Sequence, residues 1–237
     1  MLDPAGDVGG TRCQEMEDFV YLISHDLRGS VRALTELPEW IIEDLREAEI
    51  TIDERLGASI DMMRTHMRRL DRMLVDLLTF SRIGRMQNVH AVELSSALAS
   101  VVGSLDIPES FKISSRFDCS TLWIGERDIL TLLSALLENA IKHHDACTGH
   151  VELCSRIENQ MVVLEVADDG PGIPPRFQER VFAPMVTLRP RDEVEASGMG
   201  LANVRKIATF YGGSAQLLPV EKGCRISVRL PIKKALP

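Results

Sequence analysis

The chain has 237 residues, 45% hydrophobic and 26% charged, the profile of a globular protein with room for one large domain or two small ones. A formal net charge of −8 excludes nucleic acid or an anionic membrane as the main partner, because both require a basic face. No apolar run approaches the ~18 residues of a spanning helix, and Met1 to Arg12 is polar and glycine-rich, so neither membrane insertion nor a secretory leader is expected. Five cysteines, an odd number without Cys-x-x-Cys spacing, read as free thiols in a reducing cytoplasm.

Residues 1–13 lack periodicity and are expected to form a flexible lead. From Gln14 to Ala48 apolar residues recur at Val20, Ile23, Leu27, Leu34, Leu37 and Ile41, in steps of three and four with a gap at Ser30. That spacing predicts a helix with an a/d seam, kinked or weakened at Pro38. The polar stretch Glu49 to Glu54 and Gly57 mark a reversal. A second helix follows on Leu56, Ile60, Met63, Met67, Leu70, Leu74 and Leu77 and ends near Gly84. One antiparallel pair cannot bury two such narrow stripes. Two hairpins pairing into a four-helix bundle can, so a homodimer is expected in preference to docking of the hairpin on its own chain. This first domain is taken as 14–88.

The texture then changes, and 89–237 reads as a second domain. Its expected elements are a helix at Leu94–Leu105, strands at Phe111–Phe117 and Thr121–Ile124, and a long helix at Glu126–His143. A hairpin of Val151–Ile157 and Met161–Ala167 comes next, then a helix at Leu201–Tyr211 closed by Gly212-Gly213, then strands at Ala215–Leu218 and Cys224–Leu230. Strands mixed with three helices predict an α+β two-layer sandwich, helices on one face of a mostly antiparallel sheet. The irregular stretch from Gly170 to Ser197 is too long for a compact domain unless it is a lid.

Chemistry-bearing residues are spread along this plan. His25 takes the f position of the first helix, away from the seam, where an imidazole near its pKa is an approachable nucleophile. Asp26 beside it can accept the second ring proton. Arg28, one turn along, is a solvated charge or a phosphate contact. Asn139 and Lys142, three apart, share a helix face among leucines. The amide oxygen of Asn139 suits Mg²⁺, Lys142 adds positive charge, and Glu138 can orient a metal-bound water. Asp168-Asp169-Gly170-Pro171-Gly172 follows a strand, so a carboxylate can meet an exocyclic amine while Gly170 and Gly172 admit a base. Gly198-Met199-Gly200-Leu201 opens a helix, whose free N–H groups face an anion. Singly, each has a plainer reading: a solvated histidine, a satisfied asparagine, a turn. Their order along the chain points to phosphate moving from ATP to a histidine. The run His143, His144, Cys147, His150, Cys154 has ligand types for zinc but no module spacing, and reads as solvated loop and strand residues.

Over residues 14–232 these motifs resemble the catalytic core of the sensor histidine kinases of two-component systems. Ser24 to Arg28 is similar to the phosphoacceptor box, Leu136 to Lys142 to the N box, and Asp168 to Gly172 to the first glycine box. Phe182 corresponds to the F box and Gly198 to Leu201 to the second glycine box; Leu188 to Glu195 is similar to the lids of phytochrome-like members. The resemblance implies a Bergerat-type ATP-binding sandwich and autophosphorylation of His25 with ATP and Mg²⁺. It implies transfer onward to an aspartate of a response-regulator receiver domain. Asp168 would contact adenine, Asn139 would hold Mg²⁺, and the glycines would shape the lid and phosphate loop. Two positions depart from the family. Gly29 replaces the threonine or asparagine that positions water for dephosphorylation, and Ala135 replaces a second asparagine. The alternative is a phosphotransfer or scaffold protein of this architecture that no longer uses ATP. The 24 residues before His25 are too few to be expected to fold as a sensor, so a separate sensor protein is a candidate partner.

Overall fold

The computed structural model describes residues 8–85, 87–189 and 197–232, with side chains from residue 21 onward except that of His25. The lead at 1–7 and the lid residues 190–196 lie outside the described residues. The chain divides into two compact units, one ending at Arg82 and the other beginning at Ile83.

The first unit is a helical hairpin of α1 (Val8–Glu47) and α2 (Glu54–Arg82). Tyr21 faces Arg82 and Glu39 faces Arg64, so the helices run antiparallel. α1 starts earlier than its apolar pattern and runs unbroken through Pro38. The proline removes one bond, that to the carbonyl of Leu34, and packing against α2 carries the helix across it. At its end Glu49 takes φ 55° and the Ile50 N–H returns 2.9 Å to the Leu45 carbonyl, a Schellman closure. The reversal therefore lies at 48–53. Gly57 is not part of it, because Asp53 caps α2 through the Leu56 N–H at 2.7 Å and places Gly57 inside the first turns.

The second unit is an α+β sandwich. Its main sheet has the order β2 (Phe111–Phe117), β4 (Gly149–Glu158), β5 (Met161–Asp168), β7 (Cys224–Pro231), β6 (Ser214–Leu218). Only the β2–β4 pairing is parallel. The helices α3 (Leu94–Ser104), α4 (Glu126–Lys142) and α5 (Gly200–Phe210) cover one face. α4 carries Glu126 and Asp128 in its first turn and Lys142 in its last, complementing the helix dipole. Its stripe Ile129, Leu132, Leu133, Leu136, Leu137, Ala140 is buried throughout. The sequence reading missed β1 (Val89–Glu93), which pairs antiparallel with β3 (Thr121–Gly125) in a separate two-stranded sheet.

The outer face of the main sheet is a charged network. Arg156 bonds Glu165 at 2.7 Å and Glu158 at 2.6 Å, and Arg229 reaches Glu158 at 3.2 Å. Val163 sits in register between Arg156 and Arg229 and is fully buried on this polar face, covered by their aliphatic stems.

Candidate nucleotide-binding site

The C-terminal half of α4, the end of β5 and the N-terminus of α5 converge at one end of the sandwich. Asp168 closes β5 opposite Val151 and Cys224. Gly200, the first residue of α5, abuts α4 one turn before Asn139: a Cβ there would stand 3.8 Å from that of Ala135.

Asp168 Oδ1 accepts two backbone bonds, from the Gly170 N–H at 3.0 Å and the Cys224 N–H at 3.1 Å. Among the described residues no group bonds Oδ2, so a carboxylate oxygen stays open for an external donor. Burial raises the Asp168 pKa above the usual carboxylate range, and the two N–H bonds act against that shift. Gly172 and Gly198 are needed as glycines. Gly172 has φ +74° and a Cβ there would come within 2.5 Å of the Gly223 carbonyl. Gly198 has φ +76° and its Cβ would meet the Val186 carbonyl at 2.6 Å. The second glycine loop is thus clamped to the irregular segment.

Met199 precedes α5 and caps it with no side chain, while Ser197 Oγ takes the Met199 N–H at 3.2 Å. The first-turn N–H groups of Gly200, Leu201 and Ala202 therefore carry no side-chain cap, an arrangement suited to phosphate oxygens. Leu201 is buried and anchors that turn. On α4, Lys142 Nζ donates to Glu138 Oε2 across one turn, both side chains half-exposed. No described group bonds the Asn139 amide, whose side-chain oxygen is the ligand type that Mg²⁺ takes.

Phe182 does not lie open to a ligand. It is 2% exposed and Arg205 of α5 stacks 4.4 Å above its ring, with Glu179 bonding that guanidinium at 2.9 Å. Its position seats the start of the irregular segment on α5. Two residues, His143 and Arg189, have a relation here that their sequence motifs do not assign them. Arg189, from the irregular segment, acts with burial and Lys142 to lower the pKa of His143 at the end of α4, burial being the largest cause. The His/Cys run was the available signal, and it was read as a solvated loop. Among the described residues no group of three metal-ligating side chains is found.

His25 and Asp26 lie on α1 in the other unit. The His25 side chain is outside the described residues; Asp26 is exposed and Ser24 is buried. A turn before His25, the Tyr21 ring lies 5.2 Å beneath the Arg82 guanidinium, and its hydroxyl is 3.3 Å from the same group.

Residues 125–234 match the family described as histidine kinase-, DNA gyrase B- and HSP90-like ATPase, so the second unit carries an ATP-binding sandwich of that class. The chain is 30% identical over 205 residues to the methanogenesis regulatory histidine kinase FilI of Methanothrix harundinacea, covering 84% of this chain and 22% of that protein. It is 28% identical over 232 residues to the sensor protein RstB of Escherichia coli, covering 91% of this chain and 53% of the relative. Full-length ShkA, solved with AMPPNP, superposes with a TM-score of 0.68 at 20% identity, over 93% of this chain and 47% of that one. ThkA, solved with the response regulator TrrA, gives 0.65 at 18% identity, over 99% and 70%. The chain spans about half or less of the length of these two curated relatives. Its second unit carries the ATPase fold of that family, and over most of its length the chain is similar to histidine-kinase catalytic cores.

Proposed function

We propose that the chain is an ATP-dependent histidine autokinase of a two-component pair, with a phosphoacceptor hairpin at 14–88 and a catalytic domain at 89–237. The observation that carries this reading is the juxtaposition of an open carboxylate oxygen on Asp168 with the uncapped first turn of α5, inside a sandwich of the ATPase family. The first supplies an acceptor for the adenine amine, the second donors for phosphate.

A neutral imidazole nitrogen of His25 attacks the γ-phosphorus in line. The bond from that phosphorus to the β,γ-bridging oxygen breaks, ADP leaves, and the proton on the other ring nitrogen is held by Asp26. Asn139 would hold Mg²⁺, which supplies neutralisation of charge on the phosphate oxygens. Glu138 and Lys142, paired to each other, keep a dipole beside that position. Catalysis rests on positioning and charge. The phosphoryl group then passes to an aspartate of a receiver domain; that ThkA was solved with a response regulator supports such a partner.

Apolar residues left open along the hairpin support a homodimer: Ile23, Leu27, Leu34, Leu37 and Ile41 on α1, with Met63 and Leu70 on α2. No helix among the described residues is long and apolar enough to cross a membrane, and we place the kinase in the cytoplasm. Ala135, packed against Gly200 where the family has a second asparagine, favours the alternative of a scaffold that has given up ATP. Incubation with Mg²⁺ and γ-labelled ATP separates the two. Acid-labile, base-stable label that His25→Ala abolishes is the expected result. Absence of both label and nucleotide binding would establish the scaffold.

A further inference from the structure

His144 follows α4, and the run of histidines and cysteines around it reads from sequence as solvated loop. The structure puts its imidazole elsewhere: the side chain is 5% exposed. Nε2 stands 3.2 Å from Asp169 Oδ1, and Nδ1 is 3.0 Å from the Ala146 N–H. Nδ1 also lies 3.2 Å from the Ala146 carbonyl and 3.6 Å from Asp145 Oδ1, and in every arrangement that joins the ring to Asp169 it is Nε2–H that donates to the carboxylate. The ring meets Phe111 of β2 edge-on, centroids 5.3 Å apart. It also fills the space that two glycines leave. A Cβ on Gly170 would stand 3.1 Å from its Cδ2, and one on Gly149 would stand 3.0 Å from its Nε2. Asp169 Oδ1 also accepts the His150 N–H at 2.7 Å, at the start of β4. A single imidazole therefore joins the end of the Asn139 helix, the first residues of β4 and the first glycine loop.

We propose that His144 is a positioning residue for nucleotide recognition. Through Asp169 it holds the first glycine loop, and hence the open oxygen of Asp168, in the orientation that selects an adenine base. The inference rests on the ATP-binding reading above. His144 touches no nucleotide in this account. It acts because Asp168 and Asp169 are consecutive, so rotation of the Asp169 backbone re-aims the neighbouring carboxylate. Asp169 itself is half-exposed, but its carboxylate accepts from both a buried ring and the backbone of β4, and hydrogen bonds to a charged acceptor are stronger than neutral ones.

The test compares the full chain with His144→Phe, which keeps the bulk and loses both nitrogens, and His144→Gln, whose amide nitrogen can reach the position of Nε2. Thermal melting establishes that each variant folds. Binding of fluorescent ATP and GTP analogues is then titrated. Loss of one such charged bond corresponds to about tenfold weaker ATP binding in His144→Phe, with a matching fall in the ATP-over-GTP ratio and substantial recovery in His144→Gln. A folded His144→Phe chain that binds ATP as tightly as wild type, or loses ATP and GTP equally, overturns the proposal. A wild-type chain that binds no adenine nucleotide overturns the ATP-binding reading instead, so the two failures are distinguishable.

Discussion

The two units solve the burial problem in opposite ways. In the sandwich, α4 alone contributes Ile129, Leu132, Leu133, Leu136 and Leu137 at 0–1% exposure, and β4, β5, β7 and α5 meet them with a continuous apolar layer. In the hairpin, Val31, Ile60, Leu74 and Leu78 are closed off, while Ile23, Leu27, Leu34 and Leu37 stay 40–48% exposed. The sandwich is a complete core. The hairpin leaves an apolar stripe open, and that stripe has the width of a bundle seam. On the proposed reading, the unit that selects a nucleotide closes its own core, whereas the unit that would present the nucleophile leaves an apolar stripe for a second copy to cover.

The largest expected effect tests the closed side. Leu133→Ala removes a fully buried side chain that has no room to collapse, and should cost about 3 kcal/mol in urea unfolding, with nucleotide binding lost as the sandwich loosens. A cost below 1 kcal/mol would show a core far looser than its burial implies. Next comes a buried polar junction. Asp128 Oδ2 accepts the Gly84 N–H at 3.0 Å and the Tyr211 hydroxyl at 2.9 Å, and that hydroxyl accepts the Gly125 N–H at 2.9 Å. Asp128→Ala strands the part-buried Gly84 N–H and the buried Tyr211 hydroxyl and should cost about 2 kcal/mol, while Tyr211→Phe keeps the Asp128–Gly84 bond, strands only the Gly125 N–H and should cost about 1 kcal/mol. Equal costs would mean that the stranded Gly125 N–H weighs as much as the lost Gly84 bond. The open side follows. Leu27→Ala on the hairpin seam should leave the melting of a dilute chain nearly unchanged and weaken self-association by about tenfold in sedimentation equilibrium. A chain that is monomeric at every concentration would remove the dimer.

What was legible in the sequence follows the same divide between local and distant causes. α4 could be read to within a residue because its stripe, its acidic first turn and its terminal lysine lie within one segment. The glycine loops were readable too, since positive φ at Gly172 and Gly198 demands glycine whatever surrounds it. β1 was not. Val89–Glu93 alternates poorly, and its partner β3 lies some thirty residues on. Nor was the parallel β2–β4 pairing, which only the sheet order establishes. Val163 is buried on a polar face by two arginine stems from other strands, and His144 is buried by Phe111 and Asp169, neither of them near it in sequence. A periodicity reports the face a residue should take, but not what covers it.

The smallest effect lies at the rim of the sandwich and carries a sign. Glu93, fully exposed, caps α3: its carboxylate accepts the Ser96 N–H at 2.7 Å and the Ser95 hydroxyl. The Ser95 bond is the larger cause of a pKa held down to about 2 from the ordinary 4.5. A carboxylate depressed in the folded state stabilises it above the unfolded pKa, and that contribution fades as pH falls through the folded one. The stability difference between wild type and Glu93→Gln should therefore be constant above pH 4.5 and shrink steadily toward pH 2. Gln retains a carbonyl acceptor for the Ser96 N–H, so the variant isolates the charge and leaves the cap geometry in place. A difference that stays flat to pH 2 would mean that the cap acts through shape alone, and that the rim of the closed unit owes nothing to the ionised carboxylate.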